Sequence, residues 1–182
     1  MIDIILKKLA KKLDQQCVPY MIIGGQAVLL YGNARLTRDI DITLGLDTDQ
    51  LEKIRTVCRE LKLKIAVADP EKFCRQTHVL PAEDTKTNMR VDFIFSFTDY
   101  ERQAMRRAKI VKMAGYPVMF ASREDLIIHK VFAGRAIDDE DVRNILVKHK
   151  GEVSLAYIRK WLKEFSSLPG KEDMLGKFNR MV

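Results

Sequence analysis

Three aspartates have the type and spacing needed to bind a divalent metal ion. Asp39 and Asp41 alternate with isoleucines, and on a strand residues two apart project from one face, about 6.5–7 Å apart at Cα. Asp92 interrupts the otherwise apolar pattern of residues 90–95, where a buried carboxylate is unfavourable unless it is paired or binds metal. If the two strands are neighbours, the three carboxylates converge and can hold two metal ions for phosphoryl or nucleotidyl transfer. For Asp39 and Asp41 alone, a solvated acidic face is the alternative.

A glycine pair precedes these aspartates. The apolar run at residues 20–23 ends in Gly24-Gly25 and a helical pattern follows at once. Glycines at such a turn let a phosphate approach the backbone, and the helix N-terminus offers unpaired N–H groups and a positive dipole end. A strand-to-helix turn also requires glycine for steric reasons alone, and taken by itself the pair favours that explanation.

The surrounding pattern predicts the elements that position these residues. Periodicity, turns and caps predict seven strands, at residues 20–23, 39–44, 63–67, 76–80, 89–95, 109–113 and 118–120. They predict helices at residues 3–17, 26–31, 47–61, 122–132, 138–148 and about 155–165. A further helix is predicted to begin at residue 98, and a short one lies near the C-terminal end. The predicted fold class is α/β (α+β), with a mixed-sheet core at 1–121 and a helical lobe at 122–182.

Length and composition exclude several classes of protein. The 182 residues are 47% hydrophobic and 31% charged, which is enough apolar material for a core and argues against intrinsic disorder. The apolar runs fall short of the about 18–20 residues of a membrane span, and the N-terminus lacks a signal-peptide pattern. Three cysteines form no disulfide framework. We expect a cytoplasmic protein that does not associate with membranes.

Positive charge accumulates late in the chain. The net charge is +7, and residues 142–182, with nine basic and four acidic residues, contribute +5 of it. A second basic cluster contains no acid and consists of Arg102, Arg106, Arg107, Lys109 and Lys112. A polyanion such as RNA is the natural partner of these surfaces, although charge alone does not specify one.

The order of these features resembles the DNA polymerase β-like nucleotidyltransferase superfamily. The string GGQAVLLYGNARLTRDIDI is similar to its minimal bacterial members, the AbiEii/AbiGii-type toxin nucleotidyltransferases, with an Arg-x-Thr-x-Asp-x-Asp stretch matched by Arg35, Thr37, Asp39 and Asp41. The chain departs from the commoner Gly-Ser of the superfamily, so backbone N–H groups would have to replace a serine hydroxyl at the triphosphate.

The resemblance also covers a downstream motif of lysine, arginine and aspartates. It is matched in HKVFAGRAIDDEDV by Lys130, Arg135, Asp138 and Asp141. The sequence alone favours simpler roles, with Lys130 as a solvated lysine on a mostly exposed helix face, Asp138 as a helix cap and Asp141 as a first-turn acid. The resemblance instead implies that Lys130 neutralises charge on the departing pyrophosphate.

The resemblance implies an enzyme that transfers a nucleoside monophosphate from a nucleoside triphosphate to an acceptor hydroxyl. Asp39, Asp41 and Asp92 would hold Mg²⁺, as two ions for which Mn²⁺ can substitute, while Lys130 would assist catalysis. The residues implied in nucleotide binding are Gly24, Gly25, Arg35, Thr37, Arg38, Arg135, Asp138 and Asp141.

The acceptor is predicted to be RNA, at the 3′ end of tRNA, bound by the basic C-terminal lobe, in a toxin with a cognate antitoxin. Alternatives are a small-molecule acceptor such as an antibiotic, a protein acceptor, or a non-catalytic member of the fold that binds nucleotide or RNA.

Overall fold

In the computed structural model, residues 2–96 and 98–182 are described, and their strands form one seven-stranded mixed sheet. The strands are β1 (Tyr20–Ile23), β2 (Asp39–Leu44), β3 (Lys64–Ile65), β4 (Val79–Asp84), β5 (Met89–Phe95), β6 (Lys109–Met113) and β7 (Tyr116–Phe120). The mixed α/β fold class predicted from the sequence is confirmed.

Helices follow most of the strands and form the whole of the C-terminal part. They are α1 (Ile2–Gln15), α2 (Gly24–Tyr31), α3 (Leu51–Leu61), α4 (Pro70–Thr77), α5 (Asp99–Arg107), α6 (Arg123–Ala133), α7 (Ala136–Lys148), α8 (Leu155–Phe165) and α9 (Met174–Asn179), with a short 3-10 helix at Thr48–Gln50. Within the described residues, no helix is both long enough and apolar enough to cross a membrane.

The strand order is β3-β4-β5-β2-β1-β7-β6. Strand β2 lies at the centre, antiparallel to β1 and parallel to β5, so strands distant in sequence become neighbours. Parallel pairing requires a long crossover, and the segment from α3 to β4 supplies it. This arrangement brings the predicted Asp39-x-Asp41 strand beside the strand that carries Asp92.

The core explains why the aspartates face away from it. On β2, Ile40, Ile42 and Leu44 are fully buried, while Asp39 and Asp41 alternate with them on the other face. Strand β5 has the same pattern, with Val91, Phe93 and Phe95 buried and Asp92 on the other face only partly buried. A single cluster of buried apolar side chains continues from α1 through the sheet to α8 and α9.

The prediction of a strand at residues 76–80 is wrong. The chain forms helix α4 up to Thr77, passes through the left-handed conformation at His78, and begins β4 at Val79. The start of α4 carries ordinary helix signals, since Asp69 caps it by accepting from the Lys72 N–H at 3.0 Å and Pro70 occupies its first turn. The strand predicted at 63–67 shortens to the two residues of β3.

Candidate active site

Strand register places two of the three predicted carboxylates side by side. Asp41 is paired with Ile23 of β1 on one side and with Asp92 of β5 on the other. Asp39 is paired instead with Arg90 and is exposed at the start of its strand. The centre of the site is therefore the Asp41–Asp92 pair, directly beside the turn at the end of β1.

Gly24 is in contact with the Asp41 carboxylate. A Cβ added at Gly24 would lie 1.8 Å from Asp41 Oδ2, and the residue has a φ of +62°. Both the space and the backbone conformation therefore require glycine. The glycine pair and the aspartate motif, distinct features of the sequence, form one structural unit.

Gly25 is in similarly close contact with Thr37. A Cβ at Gly25 would lie 2.5 Å from Thr37 Oγ1, so a serine at position 25 would collide with this threonine. The Thr37 hydroxyl thus occupies space that a side chain at position 25 would enter, and it donates a hydrogen bond to the Asp39 carbonyl oxygen at 3.4 Å.

The site carries excess negative charge at Asp41. Burial, with the adjacent Asp92 and Asp39 carboxylates, raises the pKa of Asp41, while Lys130 and Arg135 act against the increase. Asp92 is better compensated, because Arg90 Nε donates to its Oδ1 at 3.0 Å. Ionised Asp41 is thus a half-buried carboxylate whose charge its surroundings do not fully balance.

The donor set fits a hard divalent cation only in part. Carboxylate oxygens are the ligands that Mg²⁺ prefers, and it is typically bound by one or two carboxylates together with substrate phosphates. Among the described residues, no group of three His, Cys, Asp or Glu side chains is arranged to hold a metal ion. Asp41 and Asp92 match a site that substrate phosphates complete; the arrangement is not a preformed three-carboxylate cage.

Lys130 is buried, which contradicts its predicted placement on a mostly exposed helix face. Its side chain is 4% exposed, and its Nζ lies 2.7 Å from Asp138 Oδ1 and 2.9 Å from Asp141 Oδ2. Both aspartates are also buried. The lysine and two aspartates of the downstream motif therefore form a buried ion cluster between α6 and α7.

Two arginines extend this cluster to the surface. Arg35 reaches from the loop before β2 to Asp141, with its Nε and Nη2 donating at 3.3 and 3.2 Å. Arg135 donates to Asp138 at 2.7 and 3.1 Å. Although burial alone would raise the pKa of Asp138, the hydrogen bonds from Arg135 and Lys130 lower it below the ordinary value.

Asp138 does not occupy the cap position that one interpretation of the sequence gave it. The residue that caps α7 is Arg135, and Asp138 lies in the first turn, where its carboxylate accepts from the Arg135 backbone N–H at 3.2 Å. The Asp138 carboxylate therefore accepts a backbone N–H at the start of α7 from within the first turn, and it also pairs with Lys130.

These elements enclose a cleft of about 400 Å³. Its lining brings together five of the residues singled out from the sequence, which are Gly24, Asp41, Lys130, Arg135 and Asp138. Arg35 and Asp141 adjoin it through the ion cluster, whereas Arg38 is exposed and does not line it.

The sequence interpretation missed two residues that shape the site. Arg90 lies two residues before Asp92 on the same face, and that spacing alone could have identified it as the partner of the carboxylate. Gln26 is 4% exposed, and its Nε2 donates to the Asp39 carbonyl oxygen at 3.3 Å. No sequence pattern marks Gln26, because its role depends on how α2 packs against β2.

A central mixed sheet with a glycine turn packed against strand carboxylates is the arrangement of a nucleotidyltransferase. The chain belongs to the family described as nucleotidyltransferase of unknown function (DUF6036), which it matches over residues 1–174. The sequence expectation of a nucleotidyltransferase enzyme is thereby confirmed; AbiEii/AbiGii-type specificity is a finer assignment that this match does not make. Comparison with curated proteins gives no match.

Solved structures share the fold at low sequence identity. The antibiotic-resistance factor ANT(2'')-Ia is 16% identical with a TM-score of 0.61, covering 91% of this chain and 93% of its own; it has also been solved in complex with adenylyl-2''-tobramycin. A nucleotidyltransferase-like protein from Paracoccidioides brasiliensis is 17% identical with a TM-score of 0.53, covering 97% and 91%. Lincomycin-bound LnuA, a lincosamide antibiotic adenylyltransferase, is 17% identical with a TM-score of 0.51, covering 78% and 91%.

Proposed function

We propose that this nucleotidyltransferase transfers a nucleoside monophosphate from a nucleoside triphosphate to a hydroxyl of RNA, with Mg²⁺ as cofactor. The observation that carries the proposal is the contact of Gly24 with Asp41, next to Asp92 across the strand pair. A phosphate at this turn would lie beside two carboxylates, and a divalent cation would balance the charge of both.

The triphosphate would lie over the start of α2. Backbone N–H groups at a helix N-terminus favour phosphate, and glycine at positions 24 and 25 leaves the backbone accessible. Because the Thr37 hydroxyl takes the space beside Gly25, we assign it the role that a serine hydroxyl has in Gly-Ser members of the superfamily. Exposed Arg38 is available to bind the outer phosphates.

Lys130 would face the departing pyrophosphate with part of its ammonium group. An ammonium has three N–H donors, and Asp138 and Asp141 engage it from one side. The remaining donor can point into the cleft that Lys130 lines with Gly24 and Asp41. Positive charge held there stabilises the negative charge that develops as pyrophosphate leaves.

Asp41 and Asp92, with Asp39 at the exposed strand start, would hold Mg²⁺ or a substituting Mn²⁺. The bound ion supplies neutralisation of the phosphate oxygens and alignment of the attacking and leaving oxygens. Asp92 would accept the proton of the acceptor hydroxyl, and Arg90 orients this carboxylate through its 3.0 Å hydrogen bond.

The basic surfaces favour RNA as the acceptor. Arg159, Lys160 and Lys163 are exposed on α8, and Arg106, Lys109 and Lys112 are exposed near β6. Arg107 does not belong with them, because it pairs with Glu124 and Asp125 and stacks on Tyr157. The resemblance to AbiEii/AbiGii-type toxin nucleotidyltransferases leads us to propose further a toxin role with a cognate antitoxin.

The direct test is incubation with radiolabelled nucleoside triphosphates, Mg²⁺ and total RNA, followed by gel separation. We expect label on RNA with the wild type and none with Asp41→Asn or Asp92→Asn, while Asp49→Asn, an exposed acid outside the cleft, stays active.

Parallel reactions with aminoglycosides and lincosamides test the small-molecule alternative, which the substrates of ANT(2'')-Ia and LnuA suggest. Label on an antibiotic and not on RNA would contradict the RNA acceptor. Nucleotide binding without any transfer would favour a non-catalytic role.

A further inference from the structure

An apolar cavity of about 340 Å³ adjoins the catalytic cleft. The two spaces share Ile23, Ile94, His129 and Phe132 in their linings. The rings of Tyr100 and Phe165 line it and are in edge contact, with centroids 5.1 Å apart. Phe132 and Leu168, which are 39% and 43% exposed, also line it. Exposed apolar side chains next to a polar cleft indicate that a ligand covers them.

Two polar atoms of the cavity lining have no hydrogen-bond partner within the described part of the chain. They are Thr43 Oγ1, on a residue that is 1% exposed, and His129 Nε2. Buried polar atoms without partners are rare in folded proteins, so both atoms are candidates to bond a ligand. Burial lowers the pKa of His129 to about 4, so at neutral pH its ring offers one donor and one acceptor.

The cavity lies on the acceptor side of the carboxylates. Thr43 follows Asp41 by two residues and Ile94 follows Asp92 by two, so the cavity begins about 6.5–7 Å along the strands from the two acids. Gly24 lies at the opposite end of the pair. In nucleotidyl transfer the attacking and leaving oxygens are roughly in line. If pyrophosphate leaves at Gly24, the attacking hydroxyl approaches from the cavity.

We propose that this cavity binds the nucleobase of the 3′-terminal nucleotide that carries the acceptor hydroxyl. The assignment rests on the proposed function and deepens it by locating the acceptor. Aromatic walls stack bases of any sequence, while the Thr43 hydroxyl and neutral His129 can meet the hydrogen-bonding edge of a base. Lys171, whose Nζ lies 4.3 Å from the centre of the Phe132 ring, places positive charge where the RNA backbone would enter.

The test compares two single-stranded RNA oligonucleotides that are identical except that one lacks its 3′-terminal base. Fluorescence anisotropy gives the Kd of each without nucleotide or turnover. The phosphates are the same in both, so the ratio of the two Kd values isolates the base. For the wild type we expect the abasic end to bind about tenfold more weakly, as for the loss of one stacked base.

Two variants and a matched control locate that difference. Phe132→Leu should reduce the ratio to about threefold or less, whereas Phe73→Leu, the same change on α4 away from the cavity, should keep it. Thr43→Val removes an unpartnered hydroxyl at constant shape, so the protein should remain folded. It should change the preference among the four 3′-terminal bases by about 3- to 10-fold.

The base of the donor nucleoside triphosphate is the alternative occupant of the cavity. A second titration distinguishes it from the base of the acceptor RNA. The Kd of each triphosphate is compared with that of tripolyphosphate in the same variants. If Phe132→Leu weakens the triphosphates selectively and leaves the RNA ratio unchanged, the cavity holds the base of the donor and the acceptor assignment is overturned.

Failure of the cavity assignment is separable from failure of the proposed function. Equal binding of both oligonucleotides, with transfer to RNA intact, overturns the cavity assignment alone. Absence of binding to either oligonucleotide overturns the cavity assignment and the RNA acceptor together.

Discussion

Asp41 has to satisfy three neighbours at once. The first is Gly24, against which it is packed, the second is Asp92, its partner across the strands, and the third is the positive charge of the Lys130–Arg135 pair. The sequence predicts that Asp39 and Asp41 share a face, because strand alternation is a local property. It does not predict that Asp41 is the central residue and Asp39 the exposed one, because strand register is set by the whole sheet.

We expect Asp41→Asn to abolish transfer and, without metal, to leave the protein at least as stable as the wild type. The folded-state pKa of Asp41 is raised, so its contribution to stability decreases as the pH increases from the ordinary aspartate value through the raised one. The amide removes this unfavourable ionisation. Thermal melts in metal-free buffer should show a Tm advantage for the variant at neutral pH that disappears below the ordinary pKa. A lower Tm at neutral pH would mean that the carboxylate is structural.

Gly-Ser members of the superfamily have a serine where this chain has Gly25. A double substitution tests whether the Thr37 hydroxyl replaces that serine. Gly25→Ser alone should collide with Thr37 Oγ1 and destabilise the protein by about 1–3 kcal/mol, as overpacking does. Adding Thr37→Ala removes the Oγ1 contact but keeps the Cβ, which would lie 2.9 Å from the added Cβ, and the serine supplies a hydroxyl from the other side of the contact. Urea unfolding should show that the double variant recovers part of the loss, and transfer should exceed that of Thr37→Ala alone. Equal activity of those two variants would mean that neither hydroxyl contacts the triphosphate.

At the scale of elements, the ion cluster fixes α6 against α7 and ties the loop before β2 to both. Lys130 lies near the end of the buried face of α6, while Asp138 and Asp141 occupy the first two turns of α7. Arg35 joins the loop to Asp141. The charges hold three segments in the relative positions that the cleft needs.

Lys130→Met should destabilise the protein by about 3–5 kcal/mol, because it leaves two buried carboxylates without their shared cation. Lys163→Met, on the exposed face of α8, is the matched control and should change stability by less than about 0.5 kcal/mol. Urea unfolding measures both. Adding Asp138→Asn and Asp141→Asn to Lys130→Met should restore part of the loss, since coupled charges are not additive. A Lys130→Met variant as stable as the control would contradict the buried cluster.

The same ion cluster makes the stability of the protein decrease at acidic pH. Because the folded-state pKa of Asp138 is lowered, its contribution to stability is complete above the ordinary aspartate value and is lost as the pH falls through the lowered value. Asp138→Asn should flatten the acid side of the stability curve. Urea unfolding at several pH values measures this. If the free energy of unfolding of Asp138→Asn falls as steeply in acid as that of the wild type, Asp138 does not contribute to acid unfolding.

The sequence predicts those elements whose signals are local, including β2, β5 and the caps of α5 and α6. Ser122 accepts from the Asp125 N–H at 3.2 Å, as its spacing indicates. The missed helix α4 also has a local signal, at Asp69-Pro70, but its apolar periodicity is weak, since Cys74 is its buried residue. The burial of Lys130 has no local signal, because it follows from the packing of α7 against α6.

At the scale of the whole molecule, the uneven charge predicts that the proposed RNA-binding surface is separate from the proposed triphosphate site. Replacing Arg159, Lys160 and Lys163 together with glutamine should weaken tRNA binding. If all three contact phosphate, the logarithmic salt slope should become shallower by roughly 2. Binding of the nucleoside triphosphate should not change. Titrations at several salt concentrations test this, with exposed Lys53, Lys64 and Lys72 replaced as the charge-matched control.

An unchanged slope would remove α8 from the acceptor surface. It would also favour a small molecule or a protein as the acceptor.

The parallel pairing of β2 with β5 also determines when the enzyme can first act during its synthesis. Asp41 leaves the ribosome well before Asp92, and Lys130 emerges later still, so an incomplete chain has a hydrated Asp41 and no cleft. Contacts between distant segments form late in folding, because closing the intervening chain is entropically unfavourable. If the proposed function holds, nucleotide transfer begins only once α7 has been synthesised and has docked, and a nascent chain does not modify the RNA that surrounds it on the ribosome.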